Sequence, residues 1–420
     1  MKVLVLTHRL PFAPNRGDRV RAYHLVRQLA RRASVHVVSL VHDAGEEAEA
    51  EGMRRDGIAV TTARVPRLRN YIRGAAGLLS STPLTHLLLD SPAMRDAIAH
   101  SLRDGEPDVV LAYCSGMARF ALEAPLDRYP FVLDVVDVDS GKWADFARAA
   151  RGPRRWLYRR EARCLSAFEA MAAQRAQAAT VVTAREAEAL RALSPGARTV
   201  VISNGVDMQY LAPQGPPAAD PSVVFTGVFS YEPNADGAVW FAEQVWPRVR
   251  ERFGTARLTL AGASPLARVR RLAERDASIV VTGQVPDIRP YLWQSAVAIA
   301  PLFEARGLQN KVLEAAAAGL PSVITSAVWA GLPPQGLAAC RLANEPGAFA
   351  VAVNDLLGLS PAERRALAFS ADLGSLTWPG CLAPMCDLIE SAATPRRTPA
   401  TARGSHSVDK SLPEPFLPRA

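Results

Sequence analysis

The residues best suited to chemistry lie near position 310, where a glycine separates a buried apolar run from a helical pattern. The first N–H groups and the positive end of a helix attract anions. Lys311 adds a full positive charge in the first turn, and Glu314 follows three residues later on the same face. The pattern predicts a phosphate site, with Glu314 accepting hydrogen bonds from ribose hydroxyls. An ordinary capped helix with a solvated Lys/Glu pair is the alternative.

A parallel sheet is needed to present this helix to a ligand. Lys2–Thr7 is predicted to be a strand, followed by a Pro/Gly loop through Gly17, a helix to about Arg32 and a strand at Ser34–Val41. This βαβ unit places its ligand edge at the carboxyl ends of the strands. Further buried strands are predicted at Val109–Tyr113, Phe131–Val136 and Ala179–Thr183.

The pattern then restarts. A turn at 204–207 and a Pro/Ala/Gly-rich connection at 211–222 indicate a domain boundary. Predicted strands of the second half are Val223–Thr226, Arg257–Ala261, Ile279–Thr282, Ala296–Ala300 and Pro321–Thr325, and predicted helices are Ala235–Phe253, Ile288–Gln294 and Leu308–Ala318. We therefore predict α/β domains at 1–205 and 206–390, both Rossmann-like, with the last helices free to pack back on the first domain. Residues 394–420 are predicted to be a disordered tail.

Composition narrows the class of protein. The 420 residues carry a net charge of +8 and a pI of about 9.5, which favours anionic partners such as nucleotide sugars, lipid headgroups or nucleic acid. The five cysteines are scattered without a CxxC pair, which is typical of a reducing compartment and not of disulfides or zinc. No apolar run approaches the roughly 18 residues of a spanning helix. We expect a cytoplasmic protein, with peripheral contact at an anionic inner membrane as one possibility.

Several segments together resemble the family-4 group of retaining GT-B glycosyltransferases. They are Asp137–Trp143, Val201–Asp207, Phe225–Gly227 with Tyr231–Asn234, and Arg306–Glu314. Within that group the chain is similar to bacterial sugar transferases associated with exopolysaccharide and exosortase systems. The resemblance spans most of residues 1–390.

The resemblance implies a GT-B fold, in which two Rossmann-like domains face each other across a cleft. It implies transfer of a hexosyl group, with retention, from a nucleotide-diphosphate sugar to a saccharide or lipid-linked saccharide. The product would belong to exopolysaccharide or other cell-surface polysaccharide. No metal and no other cofactor is expected, and nucleic acid is not an expected partner.

The resemblance also implies roles for individual residues. Lys311 would be catalytic, by stabilising the departing diphosphate, and Glu314 would hold the donor ribose. Arg306 is our own second catalytic candidate, at a position where the chain departs from the family pattern. The donor contacts would be Gly17, Gly307, Leu308, Gln309, Asn310, Lys311 and Glu314, with Gly283 and Pro286 near the nucleobase. The acceptor-side candidates are Asp137, Ser115 and His24.

The chain departs from the family pattern at three points. The first glutamate of the usual pair, eight residues before Glu314, is replaced by Arg306. The Arg and Lys common after the first strand of the second domain are absent from Gly227–Asn234, and Arg306 is the candidate replacement for that charge. The histidine often found after an N-domain strand is missing from Leu111–Gly116.

Three patterns have structural alternatives. Asp137 and Asp139 have the spacing of a DxD metal site, since carboxylate oxygens bind divalent ions, but we favour Asp137 at a strand end facing the cleft. His24 follows Gly17 by two helical turns and fits either an acceptor contact or packing against neighbouring helices. Asn234 fits a helix N-cap, with proximity to the donor as the alternative.

Other functions fit less of the sequence. A nicotinamide-dependent enzyme would share Rossmann-like halves, because fold does not determine function, but Pro11–Asp18 contains no GxGxxG. Another nucleotide-dependent Rossmann-type enzyme stays open. A basic nucleic-acid- or membrane-binding protein without catalysis would explain the charge and the paired arginines, which are also typical of solvated helix faces. It would leave the segment 306–314 unexplained.

Overall fold

The computed structural model describes residues 1–12, 17–305 and 307–393, without the side chains of residues 17 and 18. These residues form two parallel sheets covered by helices. Short runs rich in Val, Leu and Ala supply the strands, because a parallel sheet is buried on both faces. Arg306 and the segment 394–420, predicted to be a disordered tail, lie outside the described residues.

The first sheet is built from the first half of the chain. Its strands, in the spatial order β3-β2-β1-β4-β5-β6-β7, are all parallel. Their bounds are β1 Lys2–Thr7, β2 Ser34–Val41, β3 Ala59–Arg64, β4 Val109–Tyr113, β5 Phe131–Val136, β6 Ala178–Val181 and β7 Thr199–Val201. The helices between them are α1 Gly17–Ala30, α2 Ala44–Arg55, α3 Arg67–Ala76, α4 Leu84–Leu88, α5 Pro92–Arg103, α6 Ser115–Ala121, α7 Asp139–Ala149, α8 Gly152–Arg175 and α9 Ala184–Leu193.

The second sheet repeats this arrangement, in the order β10-β9-β8-β11-β12-β13. Its strands are β8 Ser222–Thr226, β9 Arg257–Ala261, β10 Ile279–Gly283, β11 Val297–Ala300, β12 Ser322–Ile324 and β13 Cys340–Leu342. The helices are α10 Met208–Leu211, α11 Glu232–Trp240, α12 Trp246–Arg252, α13 Ala267–Arg275, α14 Arg289–Trp293, α15 Asn310–Ala317, α16 Ser326–Trp329, α17 Pro346–Gly358, α18 Pro361–Ala368 and α19 Trp378–Ala393. A π turn at Phe241–Val245 joins α11 to α12.

The last described helix returns to the first sheet. Trp378, Leu382 and Met385 of α19 are buried in one cluster with Leu25 of α1 and Leu111 of β4. The path of the chain therefore crosses between the two sheets twice, once before β8 and once before α19. Among the described residues, no helix is both long and apolar enough to cross a membrane.

Two predicted helix starts were wrong by a few residues. The helix predicted from Ala235 begins at Glu232, and the N-cap position is Tyr231, so Asn234 is not a cap. Pro233 explains the earlier start, because proline suits the first turn, where no intrahelical N–H bond is lost. The helix predicted from Leu308 begins at Asn310, which leaves Leu308 and Gln309 in the preceding loop.

Candidate active site

The strand order places a switch point in each sheet. In the first sheet β1 lies between β2 and β4, and in the second sheet β8 lies between β9 and β11. In each case the connections to the two neighbouring strands lead to opposite faces of the sheet. Ligands of open parallel sheets bind at the carboxyl ends of the strands at such points. The chemistry-bearing residues should therefore follow β1, β4 and β5 in one domain and β8 and β11 in the other.

Lys311 lies over the second switch point. Its Nζ donates to Oδ1 of Asn234 at 2.8 Å and lies 4.8 Å from the centroid of the Phe225 ring. The Nζ would be 3.2 Å from a methyl group added at Gly227, the residue that follows β8. Asn234 is oriented by its own donation to the carbonyl of Val228 at 2.9 Å. These contacts fix the ammonium group, and no carboxylate of the described residues is hydrogen-bonded to it.

The electrostatics of this group favour an anionic ligand. Burial lowers the pKa of Lys311 to about 8, although the nearby Glu314 carboxylate acts in the opposite direction. Burial also raises the pKa of Glu314 above its ordinary value, and Lys311 partly offsets that shift. A phosphate next to Nζ would restore the charged ammonium form, since an opposite charge nearby favours it.

Gly307 brings the loop before α15 against the first domain. Its φ is +63°, a left-handed value that glycine adopts without strain. A methyl group there would lie 2.4 Å from Oδ1 of Asp137 and would collide with it. Nη1 of Arg185 also donates across the cleft to the carbonyl of Ala305 at 3.2 Å. The predicted acceptor-side residue Asp137 thus faces the predicted phosphate loop directly.

Backbone strain aims Asp137 into the cleft. The preceding Val136 has φ +67°, which is costly for a β-branched residue, and the pairing of β5 with β6 shifts register at this position. Bulges and left-handed residues cluster near functional sites, where they redirect a side chain. Cys114, at the end of the neighbouring β4, has a comparable φ of +70°.

The surroundings of the Asp137 carboxyl group disfavour its charged form. Its Oδ1 is buried and has no hydrogen-bond partner in the described structure. Burial, followed by the charges of Glu186 and Asp139, raises the pKa of Asp137 to about 7. The group is thus poised between a neutral hydrogen-bond donor and a carboxylate near neutral pH.

Asp139 points to different neighbours. Its Oδ2 lies 3.5 Å from the Ser115 hydroxyl, and Ser115 itself is buried at the end of β4. Glu186 accepts from the Val138 N–H at 2.7 Å, so the start of α7 is already held by a carboxylate. Within the described residues, no group of three or more His, Cys, Asp or Glu is arranged to hold a metal ion.

A buried polar chain connects the two domains beneath this site. Arg21 donates to both oxygens of Asp134 on β5, at 2.8 and 3.1 Å. Arg21 also donates to Oδ1 of Asn204 at 3.0 Å, and Asn204 donates to Oδ1 of Asn310 at 3.2 Å. The first residue of α15 is thereby tied to the core of the first sheet.

Two domain models match the chain. The family model for the glycosyl transferase 4-like domain matches residues 16–205, and the model for glycosyl transferases group 1 matches residues 220–358. The chain is a GT-B glycosyltransferase. No curated protein matches its sequence.

Solved structures that resemble the transferase are distant in sequence. Sucrose-phosphate synthase from Thermosynechococcus elongatus is 14% identical with a TM-score of 0.68, and the match covers 93% of this chain and 99% of that one. Anabaena HepE in complex with UDP and glucose is 15% identical with a TM-score of 0.66, covering 93% and 100%. WaaG, a glycosyltransferase involved in lipopolysaccharide biosynthesis, is 16% identical with a TM-score of 0.62, covering 93% and 99%. At these identities the likeness demonstrates the GT-B fold.

The remaining predicted site residues are spread along the cleft edge. Gly17 is the first residue of α1, which follows β1 along the chain. Gly283 ends β10, two strands from β8, so it lies about 10 Å along the sheet edge from Gly227. Pro286 follows it and is exposed, while Leu308 and Gln309 are half-buried. These positions fit the predicted contacts but do not test them.

His24 packs against the last described helix. Its ring stacks on Trp378 of α19, with centroids 4.5 Å apart and planes 10° apart. Burial lowers the pKa of His24 to about 4, so the ring is neutral at physiological pH. This placement agrees with packing between helices, the alternative considered for this residue.

Sequence reasoning missed two residues of the site. The sequence favoured a helix cap for Asn234, with proximity to the donor as the alternative, and in the structure Asn234 positions the Lys311 ammonium. His8 directly follows β1 and lies parallel to Tyr113 at the end of β4, with ring centroids 6.1 Å apart. The sequence could have indicated His8, because the residue after the first strand of a Rossmann-like half lies at the switch point.

The raised pKa of Asp137 leads to a prediction about stability. The folded state holds this proton up to about pH 7, whereas an unfolded aspartate releases it near pH 4, so the Asp137 contribution to stability falls as pH rises between those values. We expect Asp137→Asn to raise the melting temperature, by an amount that grows from pH 5 to about pH 7 and then levels off. Differential scanning calorimetry across this range is the measurement, and a pH-independent gain would contradict it.

Proposed function

We propose that the transferase moves a sugar from a nucleotide-diphosphate donor to a saccharide or lipid-linked saccharide acceptor. The observation that carries the proposal is the Lys311 ammonium, held by Asn234 over Gly227 at the start of α15. It offers a positioned positive charge where a parallel sheet binds phosphates. The solved complexes of HepE with UDP and with UDP-glucose support a uridine nucleotide as the first donor to test.

The chemistry assigned to Lys311 is stabilisation of the leaving group. When the bond from the sugar anomeric carbon to the diphosphate oxygen breaks, the electron pair stays on the oxygen. A fixed cation near that oxygen stabilises the transition state more than the ground state. The acceptor hydroxyl oxygen forms the new bond to the anomeric carbon, and its proton passes to the departing diphosphate oxygen. Because Lys311 and the start of α15 supply the positive charge, the proposed transfer needs no divalent metal.

The residues of the first domain face the sugar and the acceptor in this proposal. Asp137 lies opposite Gly307, so a diphosphate bound at α15 would place the sugar near this carboxyl group. In its neutral form Asp137 can donate a hydrogen bond without repelling the phosphates. Retention of anomeric configuration and a role in cell-surface polysaccharide synthesis follow from the family resemblance and are part of the proposal. Arg306 is proposed as a second phosphate contact.

A donor screen tests the proposed function. The protein is incubated with a panel of nucleotide sugars and lipid-linked or free saccharide acceptors, and release of nucleoside diphosphate is measured. We expect one donor to be used in the presence of EDTA, and proton NMR of the product to show the donor's anomeric configuration. Loss of turnover with EDTA would contradict metal independence, and an inverted product would contradict retention. Stabilisation by oligonucleotides or NAD, with no donor used, would favour the alternative functions.

Glu314 should contribute mainly to donor binding. The ribose hydroxyls assigned to it do not change charge during the reaction, so its hydrogen bonds are similar in the ground and transition states. We expect Glu314→Gln to weaken nucleoside-diphosphate binding by about 1–3 kcal/mol, the range for a hydrogen bond to a charged group. Isothermal titration calorimetry measures the affinity. A variant with unchanged affinity but low turnover would place Glu314 elsewhere in the mechanism.

A further inference from the structure

Helix α3 exposes the apolar side chains that a surface helix normally buries. Leu68, Tyr71 and Ile72 are 78%, 66% and 67% exposed, whereas the buried residues of the helix are Asn70 and Gly74. The Asn70 amide donates to the carbonyls of residues 88 and 90, at 2.9 and 2.7 Å. An amphipathic helix packed on a domain turns its apolar stripe inward. In α3 the face formed by Asn70 and Gly74 packs on the protein, and the large apolar side chains face out.

The exposed apolar surface continues beyond α3 and is rigidly held. Leu79 in the following turn is 95% exposed, and Trp156 near the start of α8 is 54% exposed. Between them, the buried Arg160 donates to four carbonyl oxygens of residues 77–82, at 2.6–2.9 Å. Glu161 accepts from the N–H groups of Leu84 and Thr85. We call residues 67–79 and 151–159 together the platform.

The charge around the platform is almost entirely positive. No Asp or Glu occurs from 65 to 89 or from 146 to 160. The exposed residues at the N-cap and in the first two turns of α8 include Arg151, Arg154, Arg155 and Arg159. Asp90 lies at the rim, where it pairs with Arg69 and Arg73 of α3 and with Arg95. Exposed apolar side chains among arginines are the pattern of a helix that lies in the interface of an anionic membrane.

The platform lies on the cleft side of the first domain. Helix α3 directly follows the carboxyl end of β3, and α7 follows that of β5 before α8 runs back to β6. A helix of 24 residues is about 36 Å long, whereas a six-residue strand spans about 20 Å. The first turns of α8 therefore extend past the sheet edge that carries Asp137 and Ser115.

We propose that the platform docks on an anionic lipid bilayer and orients the cleft toward acceptors held in that bilayer. Leu68, Ile72 and Leu79 enter the boundary between headgroups and acyl chains, and the arginines of α8 contact lipid phosphates. The lipid-linked nature of the acceptor rests on the proposed transferase function, whereas the bilayer contact does not. A bilayer suits this surface because it requires apolar insertion and positive charge but no matching shape.

Flotation of the full chain with vesicles tests the proposal. We expect binding to phosphatidylcholine vesicles that contain phosphatidylglycerol, little binding to phosphatidylcholine alone, and release at high salt. Leu68→Ser with Ile72→Ser should weaken vesicle binding at least about tenfold, because two inserted side chains are lost. Arg154→Gln with Arg155→Gln should weaken it by roughly fivefold per arginine.

Matched controls lie on the second domain. Val351→Ser with Phe369→Ser removes two other exposed apolar side chains, 58% and 51% exposed. Arg270→Gln with Arg271→Gln removes the same charge as the arginine pair, and both control pairs should bind vesicles as the wild type does. Equal binding by the platform and control variants would overturn the proposal. Absence of vesicle binding by the wild type would also overturn it. So would a change in oligomeric mass when Leu68 and Ile72 are replaced, because that would indicate a protein partner. Vesicle binding without any stabilisation by nucleoside diphosphates would overturn the proposed transferase function and leave the membrane proposal standing.

Discussion

Replacing Lys311 with alanine is expected to lower turnover by about 10²–10³-fold, the loss seen when one preorganised group that stabilises transition-state charge is removed. The effect on nucleoside-diphosphate affinity should be smaller, because the charge on the leaving oxygen grows during the reaction. Steady-state kinetics with the donor chosen by the screen gives turnover, and calorimetry gives affinity. Lys2→Ala is the control, since this lysine is exposed and lies at the amino end of β1.

Asn234 offers a second variant in the same experiment. Asn234→Ala removes the acceptor that holds the Lys311 ammonium but leaves the charge in place. We therefore expect Asn234→Ala to cause an intermediate loss of turnover. The loss in the double variant should be smaller than the product of the two single losses, because the two side chains act together. Normal turnover in both Lys311→Ala and Arg306→Ala would exclude this end of α15 as the diphosphate site.

Replacing Arg21 with alanine is expected to destabilise the first domain by about 3–5 kcal/mol, because it leaves a buried carboxylate without its partner. Arg21 and Asp134 are 1% and 0% exposed, and their two hydrogen bonds lie in the core of the first sheet. Chemical denaturation followed by fluorescence measures the loss. Arg27→Ala on the same helix is the control, since its pair with Asp56 is exposed on both sides and should contribute under about 1 kcal/mol.

A double replacement separates charge from packing at this pair. Arg21→Met with Asp134→Leu removes both charges, so the free energy of unfolding should recover much of the loss seen in Arg21→Ala. If the double variant is as unstable as the single one, packing of the arginine stem and not the unpaired charge explains the effect. A loss below about 1 kcal/mol in Arg21→Ala would contradict the account.

Much of the fold was accessible from local patterns. Buried apolar runs between helical stretches identified most of the parallel strands, although β3 and β13 were not predicted, and the restart after residue 205 indicated the second sheet. The glycine before a helix with Lys311 led to the prediction of an anion site there, because helix ends have the same electrostatics in every context. The start of α11 was misassigned although Pro233 carried the signal for it.

Features that depend on the packing of distant segments could not be predicted. The contact of Asp137 with Gly307 requires two loops about 170 residues apart to meet across the cleft. The Val136 bulge that aims Asp137 contradicts the ordinary preference of valine for an extended backbone. The outward apolar face of α3 is equally invisible in sequence, since its periodicity is that of a helix packed the other way round.

The most direct test of the central claim compares a nucleoside diphosphate with its nucleoside. For the base selected in a thermal-shift panel, calorimetry gives the ratio of the two dissociation constants in the wild type and in Lys311→Ala. If the start of α15 binds the diphosphate, the preference for the diphosphate should fall about ten- to a hundredfold in Lys311→Ala, as expected for loss of a charged hydrogen bond. In Glu314→Gln both ligands should weaken alike. A preference that stays unchanged in Lys311→Ala would contradict the assignment.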